Sequence, residues 1–342
     1  MAEALPTAGD GGGHAARSRA PDAMRWIAGF FFLLALALAV VAAALGDRFY
    51  FRLATEALIF GGLALSVDLL LGCTGLLPLG HALFFGFGAY VSGLVLKNWA
   101  PSFWLAGAVV LAGAVVVGLV AGAIAIRAKG VYFALITFGL AQVVSKIVFN
   151  TRELGASDGI IGIPVVRIPF GLFTVDTSHA PSFFLLVLVL VMGAYVALAY
   201  LMQTPFGRQL GAIRTNESRV AFLGVDPWRY KLAAFVISTV IAALSGALYP
   251  MLRGFVSPEL LFFQVSGNAV INVIVGGAGT LIGPLYGSVI LTILKSVVGS
   301  FTSHHLIVIG VVFMVAVIFM PRGLVGYAAP VLQRWLERRA SR

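Results

Sequence analysis

Apolar runs of near membrane-spanning length, separated by short polar stretches, follow one another along most of the chain. A helix needs about 20 residues to cross the hydrocarbon core, and fewer where it is broken and packed inside protein. Ten segments fit: 27–45, 53–71, 81–97, 103–126, 131–149, 182–202, 232–252, 265–277, 281–298 and 306–320. The pattern predicts an all-α fold, a polytopic membrane helical bundle of about 8–10 transmembrane segments with broken or re-entrant helices. The short 265–277 run reads as a half-helix or a re-entrant segment. Residues 1–25 are expected to form a disordered tail, 26–326 the transmembrane domain, and 327–342 a basic C-terminal tail.

Composition agrees with lipid as the solvent. Of the 342 residues 60% are hydrophobic and only 11% are charged, and the mean hydropathy is +1.02. A soluble domain carries about 25% charged residues. The net charge of +10 is held in short clusters between apolar runs, the pattern of loops near anionic lipid and not of a nucleic-acid surface. With the N-terminus in the cytoplasm and one crossing per segment, 15 of the 23 Lys and Arg fall in the inner regions 1–26, 127–130, 203–231 and 321–342. That excess predicts both termini inside. Trp26, Trp99, Trp104 and Trp228 flank segments, as interfacial tryptophans do. The run 26–45 is long enough to span and no clear cleavage site follows it, so no removable signal is expected. Cys73 is the one cysteine, which excludes an internal disulfide, and no Cys/His spacing suits a metal.

Two Gly-rich interruptions stand out. Residues 72–80 read Gly-Cys-Thr-Gly-Leu-Leu-Pro-Leu-Gly, followed by His81. Residues 276–284 read Gly-Gly-Ala-Gly-Thr-Leu-Ile-Gly-Pro. Both break helices, yet both are apolar, so neither is an ordinary solvated loop. Non-helical backbone at membrane depth must be buried in protein or line a cavity. Gly72, Gly75, Gly276, Gly277 and Gly279 are therefore candidates for a transport path, together with Asp68 and His81 beside the first break. Asp68 either braces that break or faces the path; His81 reads more readily as a buried structural residue. Glu56, Lys146 and Lys295 lie near segment ends and are expected to snorkel. Gln142, Asn268 and Asn272 are the other polar residues inside segments. Ala114, Gly118 and Gly122, and likewise Gly283 and Gly287, lie four apart and predict close helix packing.

Residues 203–231 form the longest charged stretch between spans. Leu210, Ile213, Val220 and Leu223 recur at helical spacing among Arg214, Glu217 and Arg219, and Gly224 and Pro227 give a stop signal. One or two amphipathic helices along the membrane follow, resting either on a cytosolic partner or on lipid. The outer loop 150–181 carries Glu153, Asp158 and Asp176, charges suited to solvent; Gly155 and Gly159, around Asp158, are placed to order it near a path entrance.

The stretch from Ala212 to Gly224 (Ala-Ile-Arg-Thr-Asn-Glu-Ser-Arg-Val-Ala-Phe-Leu-Gly), followed by Tyr230 to Phe235, closely resembles branched-chain amino acid ABC permeases of the LivM type. Gly72 to Tyr90, Gly130 to Leu135, Gly155 to Ile160, Gly276 to Pro284 and Pro321 to Leu324 match the same family in the same order, over about residues 50–326. Asp68 and Pro78 depart from it, standing where Asn and Ser are usual. The resemblance implies that loop 203–231 docks on a cytosolic ATP-binding subunit, with Arg208, Ala212, Arg214, Asn216, Glu217, Ala221 and Gly224 in the coupling element. It also implies a second related permease chain, a periplasmic or extracellular solute-binding protein, a small polar solute, and a place in the bacterial inner membrane. No cofactor is expected.

No Gly-x-x-x-x-Gly-Lys-Ser/Thr phosphate loop occurs, so ATP would be hydrolysed by another chain. Paired carboxylates, His-Glu-x-x-His and a nucleophile motif are also missing, which argues against an intramembrane enzyme. Two alternatives stay open: the same kind of permease for urea, short amides or aromatic acids, and an ion-coupled secondary transporter with Asp68 in its relay.

Overall fold

A computed structural model of the chain describes residues 20–45, 48–169, 174–301, 305–320 and 322–340. Of the tail expected over residues 1–25, residues 1–19 lie outside them, and residues 20–25 belong to a helix. Each of the ten expected segments falls on helix. They are α1 (Ala20–Leu45), α2 (Arg48–Thr74), α3 (His81–Leu94), α4 (Phe103–Ala125), α5 (Val131–Asn150), α6 (Ala180–Gln203), α9 (Pro227–Ala247), α11 (Phe263–Gly276), α12 (Gly283–Phe301) and α13 (His305–Phe319). Between them lie the short α7 (Pro205–Thr215), α8 (Glu217–Phe222) and α10 (Tyr249–Arg253), and α14 (Gly323–Ala340) follows. Six of the described helices (α2, α4, α5, α6, α12, and α9 continued by α10) are long and apolar enough to cross a membrane; α11 is a shorter apolar helix, cut by the second break. The chain is an all-α polytopic bundle. Helix runs through both expected domain boundaries, since residues 25 and 26 share α1 and residues 326 and 327 share α14.

Local chemistry sets several helix starts. Ser102, Asn216 and Asp226 each accept a backbone N–H of the first turn that follows, those of Leu105, Arg219 and Trp228. Pro205 and Pro227 occupy first helical positions, where a missing N–H leaves no hydrogen bond unmade.

The core forms around α2, α3 and α9. Gly88 on α3 faces the Ala243 carbonyl so closely that a Cβ would sit 1.9 Å from its oxygen, and Gly246 on α9 meets the Phe85 carbonyl oxygen at the same 1.9 Å. The α4 stripe foreseen from spacing packs on α9: a Cβ on Gly118 would touch Thr239, and one on Gly122 would touch Leu232 and Phe235. Gly287 lets α12 lie on α11, with 2.1 Å from its would-be Cβ to the Asn272 carbonyl oxygen. In lipid such close backbone approach, and the dispersion it permits, holds helices together.

The connections gather at two faces. At one, β1 (Ile160–Ile161) pairs antiparallel with β4 (Phe255–Val256), and Lys97 Nζ donates to the Ile161 carbonyl at 2.9 Å. Beside them β2 (Arg167–Pro169) pairs with β3 (Thr174–Asp176). At the opposite face lie both Gly-rich breaks, α7 and α8, and the start of α14.

Gly88→Ala and Gly246→Ala should each destabilise the folded protein by about 1–3 kcal/mol, because a carbonyl and not a flexible side chain occupies the space. Gly107→Ala and Gly193→Ala, where nothing lies within 4 Å of the new Cβ, should be neutral or stabilising by up to about 1 kcal/mol. Thermal unfolding of the detergent-purified chain separates the two pairs.

Candidate functional site: two helix breaks, a loop and a cavity

The two breaks meet. Asp68, fully buried on α2, accepts the Gly279 N–H at Oδ1 (2.6 Å) and the Leu281 N–H at Oδ2 (2.9 Å). Both donors belong to the second break, where Leu281 is held at φ +59, a left-handed conformation rare for a residue with a side chain. Gly72 lies one turn after Asp68. A Cβ there would be 2.2 Å from Asp68 Oδ1 and 2.2 Å from the Gly279 nitrogen, so only glycine allows the two segments to touch. Gly276 is equally constrained: its Cβ would sit 1.9 Å from the Gly283 carbonyl oxygen. Gly277, at φ +120, is backed by Gly323 at the start of α14. Asp68 therefore braces a break, though it is the second one in sequence and not the adjacent one.

The first break is buried in protein on its far side. Leu79 N–H donates to Thr137 Oγ1 of α5 (3.2 Å), and Ala82 N–H to Ser266 Oγ of α11 (2.8 Å). His81 Nε2 lies 2.6 Å from Ser238 Oγ, and that hydroxyl donates to the Ser66 carbonyl at 2.6 Å. With the Ser238 proton so used, Nε2 carries the hydrogen and donates to Ser238. The chain ties α3, α9 and α2 together, which places His81 in the packing between helices.

The loop after α6 reaches this cluster directly. Arg214, in the last turn of α7, donates to the Gly72 carbonyl, and its aliphatic stem lies against Gly75, which has φ +76. The carbonyl it takes is one of those left unsatisfied at a helix C-terminus. Glu217 opens α8 and pairs with Lys231 of α9 at 2.7 Å; the Lys231 side chain is only 7% exposed. Asn216 caps α8, and Gly224 (φ +81) ends the loop. Leu210, Ile213 and Val220 turn inward, whereas Arg208, Ala212, Arg219 and Ala221 face outward. Phe222 and Leu223 are 91% and 81% exposed at the tip.

At the opposite face a cavity of about 610 Å³ opens between α2, α10, α11 and α12. Its charged lining is Arg52, Glu56, Arg253 and Lys295, with the amides Asn268 and Asn272 and an apolar wall that includes Phe60, Leu63 and Leu291. Glu56 and Arg253 are paired at 2.6 Å. Position near segment ends makes Glu56 and Lys295 read as snorkelling residues, and nothing local assigns a role to Asn268, Asn272, Arg52 or Arg253. The available signal was the period of the polar minority: Arg52 with Glu56, Asn268 with Asn272, and Thr292 with Ser296 each lie four apart. Lys146 stands apart, exposed and 5.8 Å from the centre of the Phe149 ring.

The loop glycines fold their own segment. Gly155 (φ +87) and Gly159 (φ +73) pack against the Gly159 and Val256 carbonyls respectively. Asp158 is exposed, with Ser157 Oγ donating to it at 3.1 Å, and does not line the cavity. Asp176 accepts from the Ser178 hydroxyl and N–H, which hold its carboxyl below the usual range.

The family model for the "branched-chain amino acid transport system / permease component" matches residues 49–317. The chain belongs to this family, as a permease of the LivM type. It is 30% identical over 328 residues to the high-affinity branched-chain amino acid transport system permease protein LivM of Salmonella typhimurium, covering 89% of this chain and 76% of the relative. The LivM of Escherichia coli K12 is 28% identical over 324 residues, with the same coverage. LivH of Escherichia coli K12 is also similar, at 22% identity over 278 residues, covering 77% of this chain and 90% of LivH. No solved structure matches. The family is one of transport permeases and not of enzymes, so the breaks, the loop and the cavity belong to a multi-pass membrane transport protein.

Asp68→Leu would leave the buried Leu281 N–H and the partly buried Gly279 N–H without an acceptor, at about 1–3 kcal/mol for the first and less for the second. Asp68→Asn keeps one acceptor oxygen and should lose about half as much. The expected order of melting temperatures is wild type, then Asp68→Asn, then Asp68→Leu; an unchanged Asp68→Leu protein would mean that the carboxyl does not hold the break.

Proposed function

We propose that this chain is the membrane-spanning subunit of an ABC importer that passes branched-chain or related amino acids and is driven by separate cytosolic ATP-binding subunits. The observation that carries the reading is the contact of Arg214 with the Gly72 carbonyl. Through it, α7 grips the end of α2 where the two breaks touch, while Phe222 and Leu223 at the same loop's tip project almost wholly into solvent. Large apolar side chains outside the bundle suit a protein groove. A partner that pushes on this loop would push on the C-terminus of α2, and through Asp68 on the second break.

The remaining assignments follow the family. The membrane is the bacterial inner membrane, with both chain termini and loop 203–231 in the cytoplasm. The similarity to both LivM and LivH supports a second, related permease chain as partner. The β1–β4 face is then the side that meets a soluble solute-binding protein. An ion-coupled carrier is disfavoured by Asp68, whose two oxygens are both taken by backbone N–H donors.

The test is co-purification from the host's own membranes. The wild-type chain should bring down an ATP-binding subunit. Phe222→Asp with Leu223→Asp should weaken docking by about 2 kcal/mol or more, roughly thirtyfold, without moving the melting temperature, because neither residue packs inside. Recovery of the chain alone, under conditions that preserve known complexes, would overturn the reading. Arg214→Gln should retain the ATP-binding subunit and its hydrolysis but lose solute uptake in proteoliposomes; full uptake would remove this contact from the coupling.

A further inference from the structure

The cavity between α2, α10, α11 and α12 carries a charge imbalance that packing does not require. Among the described residues, three cations, Arg52, Arg253 and Lys295, face it against one carboxylate, Glu56. Arg253 has taken that carboxylate. Among the described residues, neither Arg52 nor Lys295 makes an ion pair or hydrogen bond; Arg52 is exposed, and Lys295 feels the Glu56 charge without contacting it. Lys295 is only partly exposed. A charge inside a membrane protein is costly unless paired, and its default reading is functional. Asn272, 3% exposed and on the same wall, has an Oδ1 without a partner. A buried amide oxygen left unsatisfied calls for a partner, and on a cavity wall a bound polar molecule or a water supplies one.

The position fits a solute site. The cavity opens at the face away from α7 and α8. Its walls are α2, which ends at the first break, and α11 and α12, which flank the second. Beneath it the helices close: a Cβ on Gly61 would be 2.9 Å from Leu285 Cδ2, and Ser288 Oγ donates to the Ala57 carbonyl at 2.7 Å. A molecule entering from that face would stop on the same three helices that Asp68 and Gly72 join at their far ends.

We infer that this cavity is a site for the carboxylate of the transported solute, with Lys295 and Arg52 as its cationic anchors, Asn268 and Asn272 as hydrogen-bonding partners, and the apolar wall taking the rest of the molecule. The inference rests on the transport reading for its solute but not on ATP coupling. It separates carboxylate solutes from urea and short amides, which have no charge for Lys295 to hold. An anionic lipid headgroup offers similar chemistry, and the test distinguishes it.

The test labels the full chain in nanodiscs of phosphatidylcholine. Cys73→Ala removes the native thiol, and Ser296→Cys places one on the cavity wall. Labelling rates are compared for a negatively charged sulfonatoethyl and a positively charged trimethylammonioethyl methanethiosulfonate, each relative to its rate with a free thiol. The negative reagent should be favoured by about tenfold, because Lys295 and Arg52 attract it. Millimolar L-leucine and 4-methylpentanoate should slow labelling, whereas 3-methylbutylamine and urea should not. Lys295→Gln should abolish both the preference and the protection, and Lys295→Arg should keep both, which separates charge from folding. Equal rates for the two reagents would overturn the inference. So would protection by urea equal to that by the carboxylates, or protection only when phosphatidylglycerol is added to the nanodiscs. Protection that persists in a chain recovering no ATP-binding subunit would sink the importer reading and leave the carboxylate site standing.

Discussion

Backbone polar groups that leave a helix inside a membrane must find partners within the protein, and here Asp68 supplies two of them. Its two oxygens accept the N–H groups of Gly279 and Leu281, so a segment interrupted by four glycines and a proline keeps one conformation. Much of the lower half of the molecule depends on that clamp. It fixes the distance between α2 and α12, it forces Gly72 to be glycine, and it leaves the Gly72 carbonyl pointing at Arg214. The start of α14 then closes over the same segment through Gly323. An acidic residue suits the position better than an amide would, because an amide has one acceptor oxygen and two N–H groups need acceptors.

The two ends of α2, α11 and α12 differ in chemistry. At the break end most of the polar groups named above are satisfied by protein: carboxyl to backbone, guanidinium to carbonyl, hydroxyl to carbonyl, with the buried Nδ1 of His81 the exception. At the cavity end they are not, and cations outnumber the one carboxylate. The satisfied end is suited to transmit force, since it is a continuous set of close contacts. The unsatisfied end is suited to receive a ligand, since binding completes interactions that folding left open. The same helices carry both, which gives a physical connection between them.

Glycine patterns were readable for packing, because a four-residue spacing places small residues on one helix face whatever that face meets. Ala114, Gly118 and Gly122 on α4, and Gly287 on α12, met neighbours at contact distance as the spacing implied. The amphipathic pattern of loop 203–231 similarly gave α7 and α8, with Leu210, Ile213 and Val220 inward but Leu223, the fourth of the same stripe, exposed beyond the end of α8. The polar residues were harder. Glu56 and Lys295 lie near segment ends and look like residues reaching for the interface, and a one-dimensional reading cannot tell an interface from a cavity that opens there. Asp68 reads as a brace for the adjacent first break or as a path residue, whereas it holds the second break, through partners more than 200 residues away that nothing local names.

The sequence by itself determined the solvent, the all-α class, the apolar segments that become helices, the places where helices break and, through its motifs, the family. These rest on composition, on periods of about four residues and on the length of a membrane span, all of which are local. Only the tertiary structure decided that Asp68 holds the second break, that Arg214 reaches the first, that His81 links three helices, and that Arg52, Glu56, Arg253 and Lys295 surround one cavity. Those pairings depend on which helix faces which in the folded bundle. Close backbone approach at glycines far apart in the chain sets that arrangement, and no local pattern encodes the partner.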